Sequence, residues 1–402
     1  MRIQDISKYL EFCTGCAACV NICPKNAIAF STDPYDKFFY PQINNEQCIN
    51  CGLCVKVCSI EKKKDVWENG KWFEAYALDE KVRFNGSSGG VFGLISQEVI
   101  TRGGSVYGAA YESEKKKVNH CSTKDIPLEA ILRSKYVQSN INFTFRDIEE
   151  KLKEGEEILF CGTPCQVRGL KEYLSLKGVS GALITVDFMC HGVPSGSFLE
   201  EYIVQIEKKA KKKVINITFR EKDCGWRTQV MKVYFDDQSI WKFKSLEHYY
   251  YYYFLNNYNL RKSCYTCDEY CYHIADITLA DYWTVSPEKD DNKGISLIRT
   301  NTMQGENIIL AIKNKAYVRA ISSDQIDDKI YSHNSYNYNP RKRKHWMFVY
   351  NRFGIEGIST WYYYSVRMYK NIENFVRMSG GKIKKIIKSV KCLTGGKRKN
   401  EK

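Results

Sequence analysis

Two copies of one cysteine pattern stand near the start of the chain. Each copy reads Cys-x2-Cys-x2-Cys-x3-Cys, and together they take up eight of the 17 cysteines. In segments that bind two iron–sulfur clusters, the first three cysteines of such a run hold one cluster and the fourth crosses to the other. We therefore predict one 4Fe-4S cluster at Cys13, Cys16, Cys19 and Cys58, and a second at Cys48, Cys51, Cys54 and Cys23.

Other uses of these cysteines are disfavoured by their surroundings. A zinc site would normally add His, yet residues 1–66 contain none, and a third cysteine follows each Cys-x2-Cys pair. A disulfide framework needs an oxidising compartment, and the N-terminus has no apolar run typical of a signal peptide, so we expect a cytoplasmic location. Iron–sulfur clusters transfer single electrons, and the segment therefore predicts electron transfer.

Composition indicates a large folded body with a basic end. The 402 residues are 44% hydrophobic, which is enough to build two or three domains. The sequence contains no apolar run of about 18 residues, so a membrane-spanning helix is not predicted. Residues 341–402 carry 17 Lys and Arg against three Glu, which is +14 of the total +15. A basic amphipathic helix predicted at 382–393 indicates contact with the inner membrane face or an acidic protein. A solvated lysine-rich end is the alternative, and nucleic acid is not expected.

A glycine–serine loop at residues 86–90 precedes a predicted helix at 91–100. Such a loop can place an anion, such as a cofactor phosphate, at the helix N-terminus. The equally weighted alternative is a tight turn with Ser as the N-cap. Further on, predicted strands at 105–111, 157–160 and 182–188 alternate with helices, including one at 145–153.

More cysteines follow the ends of these strands. Cys161 and Cys165 come after one strand and Cys190 after the next, where open α/β sheets bind ligands. A later Cys-x2-Cys pair, Cys264 and Cys267, needs partners from elsewhere because two thiolates rarely complete a metal site. Cys165 and Cys190 are the candidates.

Six motifs carry a resemblance to a known family: Gly86–Val91, Ser134–Ser139, Gly162–Gln166, Cys190–Ser195, the Cys264/Cys267 pair and Ala275–Ile277. They resemble the beta subunit family of coenzyme F420 hydrogenases and dehydrogenases, in order, from about residue 1 to residue 310. The length and the N-terminal module are similar to stand-alone members often associated with bacterial surface-polysaccharide pathways. The resemblance implies FAD, held in part by Gly86, Ser87, Ser88, Gly89 and Gly90, and hydride exchange at that flavin.

The resemblance also implies a third 4Fe-4S cluster at Cys165, Cys190, Cys264 and Cys267. Cys271 is an alternative ligand that could displace Cys165 or Cys190, whereas Cys161 and Cys224 are left out. Cys121 and Cys392 are expected to be inert thiols.

Three further predictions concern side chains around the cofactors. His191 is the candidate catalytic residue, polarising or protonating a substrate carbonyl, with anchoring of the turn beside Cys190 as the alternative. Lys135, with Arg133, is expected to pair with a flavin phosphate. The aromatic run Tyr249–Tyr253 predicts a packed helix.

Together these features predict an α+β fold. A ferredoxin-like domain with two 4Fe-4S clusters (1–66) precedes an α/β flavin-binding oxidoreductase body in two parts (67–180 and 181–335) and a basic helical tail (336–402). The predicted function is an oxidoreductase that couples one-electron transfer to hydride transfer at a flavin. Its electron carrier would be ferredoxin, reduced deazaflavin or nicotinamide, and its organic substrate is not identified. The alternative is an electron-transfer protein without a substrate site of its own that supplies a partner enzyme.

Overall fold

The computed structural model describes residues 7–62, 70–267, 274–326 and 339–367. Residues up to Met347 form one compact unit, and a second begins at Phe348. The strands are β1 Ile28–Thr32, β2 Phe39–Ile43, β3 Lys71–Ala77, β4 Ser105–Glu112, β5 Lys117–Ser122, β6 Ile158–Cys161, β7 Leu183–Phe188, β8 Val214–Glu221, β9 Val230–Phe235, β10 Ile240–Lys244, β11 Ile277–Asp281, β12 Ser296–Thr300 and β13 Ala316–Ile321.

Twelve α-helices are found in the described residues. They are α1 Ser7–Glu11, α2 Ala18–Ile22, α3 Leu53–Lys56, α4 Glu80–Asn85, α5 Val91–Thr101, α6 Leu128–Ile131, α7 Thr144–Lys153, α8 Pro164–Lys177, α9 Gly196–Ala210, α10 Tyr249–Leu255, α11 Met303–Ala311 and α12 Pro340–Tyr362. None of them combines the length and apolarity that a membrane crossing requires. Helices together with mixed sheets confirm the predicted α+β fold.

The largest sheet has eight strands in the order β13-β3-β12-β11-β7-β6-β4-β5. Its centre, β4-β6-β7-β11, is parallel, and the flanking pairs are antiparallel. The strands predicted at 105–111, 157–160 and 182–188 are β4, β6 and β7, and the helices predicted at 91–100 and 145–153 are α5 and α7. Because β6 and β7 are parallel neighbours, the chain leaves both strands at the same edge of the sheet.

The N-terminal segment is built around two short helices and a hairpin. Strands β1 and β2 pair antiparallel from Ile28 with Ile43 to Thr32 with Phe39. The apolar side chains of α2 share one core with those of α7, β6 and α8, including Phe145, Phe160 and Leu170. The cysteine-rich segment is therefore packed onto the body of the protein.

A second sheet has the strand order β10-β9-β8, and the aromatic helix α10 follows it in the chain. The side chains of Tyr250, Tyr251 and Tyr253 are fully buried and stack among other aromatic rings, as the packed-helix prediction expected. Their hydroxyl groups find partners, since Tyr250 donates to the carbonyl of Tyr136 over 2.9 Å. The helix predicted at 382–393 lies outside the described residues, as do Cys271 and Cys392.

Candidate redox site

The two cysteine runs adopt the same local backbone. Gly15 and Ala17 in the first run, like Asn50 and Gly52 in the second, have positive φ angles between 56° and 74°. Ala17 and Gly52 then serve as the N-caps of α2 and α3. The left-handed residues turn the chain between successive cysteines, which lets three side chains of one short run point towards a common position.

The first predicted set of thiols is gathered in the structure. Burial raises the pKa of Cys19 well above its usual range, and the nearby thiols of Cys16, Cys13 and Cys58 raise it further. Burial likewise raises the pKa of Cys16 and of Cys58 to about 12. Cys58, from the second run, thus joins the three thiols of the first run as the crossing pattern predicts.

The second predicted set lines one pocket. Cys23, Cys48, Cys51 and Cys54 all contribute to its wall, together with apolar side chains such as Ile28 and Ile43. Cys51 is exposed, whereas Cys54 is buried. The backbone N–H of Ala27 donates to the Cys23 sulfur over 3.3 Å. This set therefore lies closest to solvent at Cys51.

The third predicted set assembles where two parallel strands end. Cys165 is in the first turn of α8, which follows β6, and Cys190 follows β7. Burial raises the pKa of Cys190 well above its usual range, and Cys264, Cys165 and Cys267 raise it further. Burial raises the pKa of Cys264 to about 12.

A glycine permits the close approach within this third set. Gly192 has φ +99°, and a Cβ atom there would lie 3.1 Å from Cys264 Cβ and 3.0 Å from Leu260 Cδ1. Its N–H also points to the Cys190 sulfur at 3.4 Å. Any larger residue would push the turn after β7 away from Cys264.

The donor chemistry of all three sets fits iron–sulfur clusters. Thiols gathered side by side ionise at the cost of mutual repulsion, and the buried ones also at the cost of desolvation; a cationic iron–sulfur core offsets both penalties. Soft thiolate ligands in groups of four suit such a core. Within the described residues, no three His, Cys, Asp or Glu side chains are placed to hold a single metal ion.

The three sets of thiols follow one another in space. The charge of Cys54, in the second set, raises the pKa of Cys19, and the charge of Cys165, in the third set, raises the pKa of Cys16. Helix α8, which carries Cys165, packs closely on Cys16, because a Cβ atom at Gly169 of this helix would lie 3.0 Å from the Cys16 sulfur. The order is therefore second set, first set, third set.

The glycine–serine loop at 86–90 is held by the backbone of the main sheet. The Gly89 carbonyl accepts a hydrogen bond from Ala77, and its N–H donates to the Ser296 hydroxyl over 3.0 Å. A Cβ atom at Gly89 would lie 2.3 Å from the Ala75 carbonyl oxygen. Gly90, not a serine, is the N-cap of α5. Close packing against the sheet thus explains Gly89, which agrees with the alternative of a tight turn, whereas the serine N-cap of that alternative is not found.

The loop also reaches towards a polar cavity of about 270 Å³. Ser134 in its wall donates its N–H to the Ser87 hydroxyl over 2.9 Å. The remaining polar lining consists of Asn85, Tyr111, Glu129, Arg133, Lys135, Asn216, Thr218, Glu221 and Tyr234. Arg133 pairs with Glu221.

Lys135 lies in this wall but is engaged by the chain itself. Its Nζ donates to the carbonyls of Ala130 and Leu132 over 2.7 and 2.6 Å. Burial lowers the pKa of Lys135 to about 7. A phosphate contact would have to compete with these carbonyls.

Arg220 offers an unsatisfied donor next to the loop. The side chain is 3% exposed, and its Nη2 donates to the Ser87 carbonyl over 3.1 Å and to Asp281 over 3.0 Å. Its Nη1 is buried without a hydrogen-bond acceptor. Buried guanidinium donors are normally satisfied, and anionic groups with two acceptor oxygens, such as phosphates, suit them, so this residue fits an anionic cofactor beside Ser87.

His191 contacts the aromatic helix. Its Nε2 lies 3.3 Å from the Phe254 carbonyl, its ring packs edge-on against Phe254, and burial lowers its pKa. These are the contacts of a side chain that anchors the turn after Cys190. If His191 is catalytic, its ring would act from this position, directly after Cys190 of the third set.

Packed aromatic rings connect the third set with the cavity. The His191 ring lies 4.9 Å from that of Phe254, which lies 5.0 Å from that of Tyr136. The Tyr136 ring is 6.0 Å from Phe219, a residue of the cavity wall. A series of ring contacts therefore leads from His191, the residue after Cys190, to the wall of the cavity.

Comparison with protein families gives two matches. Residues 155–325 match the C-terminal region of the coenzyme F420 hydrogenase/dehydrogenase beta subunit, and residues 12–61 match a 4Fe-4S dicluster domain. Residues 155–325 are thus similar to the C-terminal region of that beta subunit, and the cysteine-rich segment ahead of them is of the 4Fe-4S dicluster type. These matches confirm the resemblance that the motifs indicated.

Comparison with individual proteins adds little to these two family matches. An uncharacterized polyferredoxin-like protein of Methanocaldococcus jannaschii is 39% identical over 57 residues, or 12% of this chain and 34% of that protein. The chain thus spans about a third of the length of this curated relative. An F420-reducing NiFe hydrogenase complex from Methanosarcina barkeri, derivatised with xenon, aligns at TM-score 0.45 and 14% identity, covering 73% of this chain and 94% of that one. A likeness this low carries no argument about the site.

Some residues of the site were not predicted from the sequence. Gly169, Arg220 and the buried Arg261 act through contacts with segments far away in the chain, and no local pattern marks them. In the sequence, Arg261 is marked only by its position close to the Cys264/Cys267 pair. That position does not predict a buried side chain, because Arg is mostly found on exposed surfaces.

Proposed function

We propose that the protein is an iron–sulfur flavoprotein oxidoreductase that couples single-electron transfer through three 4Fe-4S clusters to hydride transfer at a flavin. The observation that carries this proposal is that the three sets of thiols lie next to one another in space, in the order second set, first set, third set. The second set, with its exposed Cys51, is the natural point of exchange with an outside carrier. The third set is linked by aromatic rings to the polar cavity.

The flavin phosphates would be held by the loop at 86–90 together with Arg220. A flavin, when bound, accepts electrons in pairs and releases them singly, which is the conversion that a cluster relay requires. Arg220 supplies a buried positive charge beside Ser87, and its guanidinium also interacts with the Tyr136 side chain. Asp281 holds that guanidinium in place through two contacts of about 3 Å.

The buried aromatic side chains keep water from the space between the thiols and the cavity. Tyr250 and Tyr251 are fully buried, and Phe254 is nearly so. Excluding water lowers the local dielectric constant and strengthens the interactions of charges inside the site. His191 holds a proton at Nε2 when it donates to the Phe254 carbonyl, and it can pass that proton to a substrate only if this contact opens.

The outside carrier would be ferredoxin, reduced deazaflavin or nicotinamide, and the second substrate an organic molecule. Participation in a surface-polysaccharide pathway is part of this proposal and rests on the likeness to stand-alone members of the family. A cytoplasmic location, with the basic tail against the inner membrane face, is proposed from charge alone. Flotation with acidic liposomes, with and without residues 380–402, tests the last point, and equal flotation would refute it.

The test of the flavin site compares two arginines. Arg220→Met removes the buried donor beside Ser87, whereas Arg227→Met removes a more exposed guanidinium that pairs with Asp290. We expect the first variant to lose at least ten-fold in flavin affinity, as a charge-assisted contact of about 1.5–3 kcal/mol implies, and the second to keep it. Reduction of the bound flavin by each carrier in turn then identifies the donor.

A preparation that binds no flavin but exchanges electrons through its clusters would contradict the enzyme proposal. It would support the alternative, a protein that delivers electrons to a partner enzyme.

A further inference from the structure

Arg261 is a buried cation between two of the cysteine sets. The side chain is 0% exposed. Its Nε donates to the carbonyl of Cys13 over 2.6 Å, and its Nη2 lies 3.5 Å from the Cys13 sulfur. Its own carbonyl accepts the N–H of Cys264 over 2.9 Å. One residue thus touches the first set of thiols through its side chain and the third through its backbone.

The guanidinium is held in one position by several groups. Nη1 donates to Gln138 over 3.0 Å, and Nη2 donates to the Phe39 carbonyl over 2.9 Å. The guanidinium carbon lies 4.5 Å from the centre of the Tyr40 ring, within the range of a cation–π contact. Gln138 in turn donates to the carbonyl of Thr14, next to Cys13. A cation held this rigidly acts as a fixed source of potential.

No carboxylate among the described residues forms an ion pair with this guanidinium. Asp36, a carboxylate whose charge acts on Arg261, forms its ion pair with Arg343 at 3.5 Å. A buried cation without a counter-charge costs several kcal/mol. Thiolates that hold a cluster provide the missing negative charge, and Cys13 is the one in contact.

We propose that Arg261 raises the reduction potential of the cluster held by Cys13, Cys16, Cys19 and Cys58, and so favours uptake of an electron by that cluster from the second set. The inference rests on the proposed function, in that these thiols hold a 4Fe-4S cluster. Such a cluster with four thiolates carries a charge of −2, and uptake of one electron makes it −3. A fixed positive charge at the ligand sulfur stabilises the reduced form more than the oxidised form.

The test is a redox titration of the reconstituted full chain, followed by electron paramagnetic resonance with dithionite as the reductant. We expect Arg261→Gln to make the potential of one cluster more negative, because the neutral side chain no longer stabilises the added charge. Arg261→Lys, which keeps the charge, should lie closer to the wild type. The same titration in a Cys165→Ser background, without the third cluster, and in a Cys51→Ser background, without the second, assigns the shifted signal to the first set.

Arg146→Gln is the matched control. Arg146 also secures the cysteine-rich segment through backbone carbonyls, those of Asn21 and Cys23, each over 2.7 Å, and no contact joins it to a cysteine sulfur among the described residues. Its variant should leave the potential of the first cluster unchanged.

Equal potentials in the wild type and Arg261→Gln, with equal iron content, would overturn the proposal. Equal shifts in Arg261→Gln and Arg261→Lys would also overturn it, since they would indicate geometry instead of charge. If Arg261→Gln does not hold its clusters, retention of iron by Arg261→Lys supports a role for charge, and loss of iron from both refutes it. A wild type without flavin or third cluster would contradict the proposed function but leave this comparison valid.

Discussion

Cys161 and Cys165 are four residues apart, at the end of β6 and the start of α8, yet the structure gives them different neighbours. Cys165 lies among the thiols of the third set, and the Thr163 hydroxyl is 3.1 Å from its sulfur. Cys161 is instead close to Asp187 and Lys135, and burial raises its pKa to about 12. Their roles should therefore separate on substitution.

We predict that Cys165→Ser lowers the iron content of the anaerobically reconstituted protein by about a third, because one of three 4Fe-4S clusters is lost. Cys161→Ser should keep the full iron content. Iron and sulfide analysis of both variants measures this, and an equal loss in the two would show that the third set is wrongly composed.

Asp187 on β7 predicts a pH dependence of stability. Burial raises its pKa to about 7, and its Oδ1 has no hydrogen-bond partner. The unfolded carboxyl ionises near pH 4. Above that pH the unfolded state gains ionisation that the folded state resists, so stability falls as pH rises from about 4 to about 7 and is constant beyond.

Asp187→Asn should remove this decline, which amounts to about 4 kcal/mol at an order-of-magnitude level. Unfolding midpoints at pH 5 and pH 7.5 measure it, with the exposed Asp324→Asn as the control. If wild type and Asp187→Asn show the same pH dependence, the carboxyl of Asp187 is already ionised in the folded protein.

Gly169 tests packing at the scale of the elements. A Cβ atom at this position of α8 would lie 2.9 Å from Cys16 Cβ, whereas one at Gly93 of α5 would meet its nearest atom at 3.5 Å. Both glycines are in helices, where Ala is otherwise favoured by about 1 kcal/mol. Gly169→Ala should destabilise by about 1–3 kcal/mol and speed the loss of iron, because α2 must move away from α8.

Gly93→Ala, by contrast, should be neutral or stabilising. Thermal unfolding and the rate of iron release to a chelator compare the two variants. Similar behaviour of both would mean that the approach of Cys16 to α8 is not tight.

The elements that could be predicted from the sequence are those with a local signature. The spacing of the cysteine runs predicted two crossed sets of thiols, and periodicity found β4, β6 and β7 with helices α5 and α7. The sheet order was not predictable, since β3 pairs with β12 and β13 from the far end of the chain. Such pairing depends on long-range packing, which short-range periodicity does not encode.

The same limit applies inside the site. Arg261 meets Cys13 only because the segment after α10 lies against the ferredoxin-like segment. Gln138, between them, is likewise distant in sequence. Contacts of this kind follow from docking, and docking is specified by the whole core and not by a motif.

At the scale of the molecule, the cysteine-rich segment and the body share one hydrophobic core. Side chains such as Ala18, Ile22, Val167 and Leu170 belong to the same cluster. Removing the clusters should therefore lower the thermal midpoint of the whole first unit and not only of its N-terminal part, since metal binding energy is also folding energy. Near-ultraviolet circular dichroism of the body with and without iron measures this. An unchanged midpoint for the body would show that the two parts unfold independently.

The central claim is a relay of three clusters that ends at a flavin. Anaerobic reconstitution of the full chain with iron, sulfide and FAD, followed by chemical analysis after gel filtration, tests it most directly. The account predicts about twelve iron atoms, about twelve sulfides and one flavin per chain. About eight iron atoms and no flavin would contradict it and leave a two-cluster electron carrier.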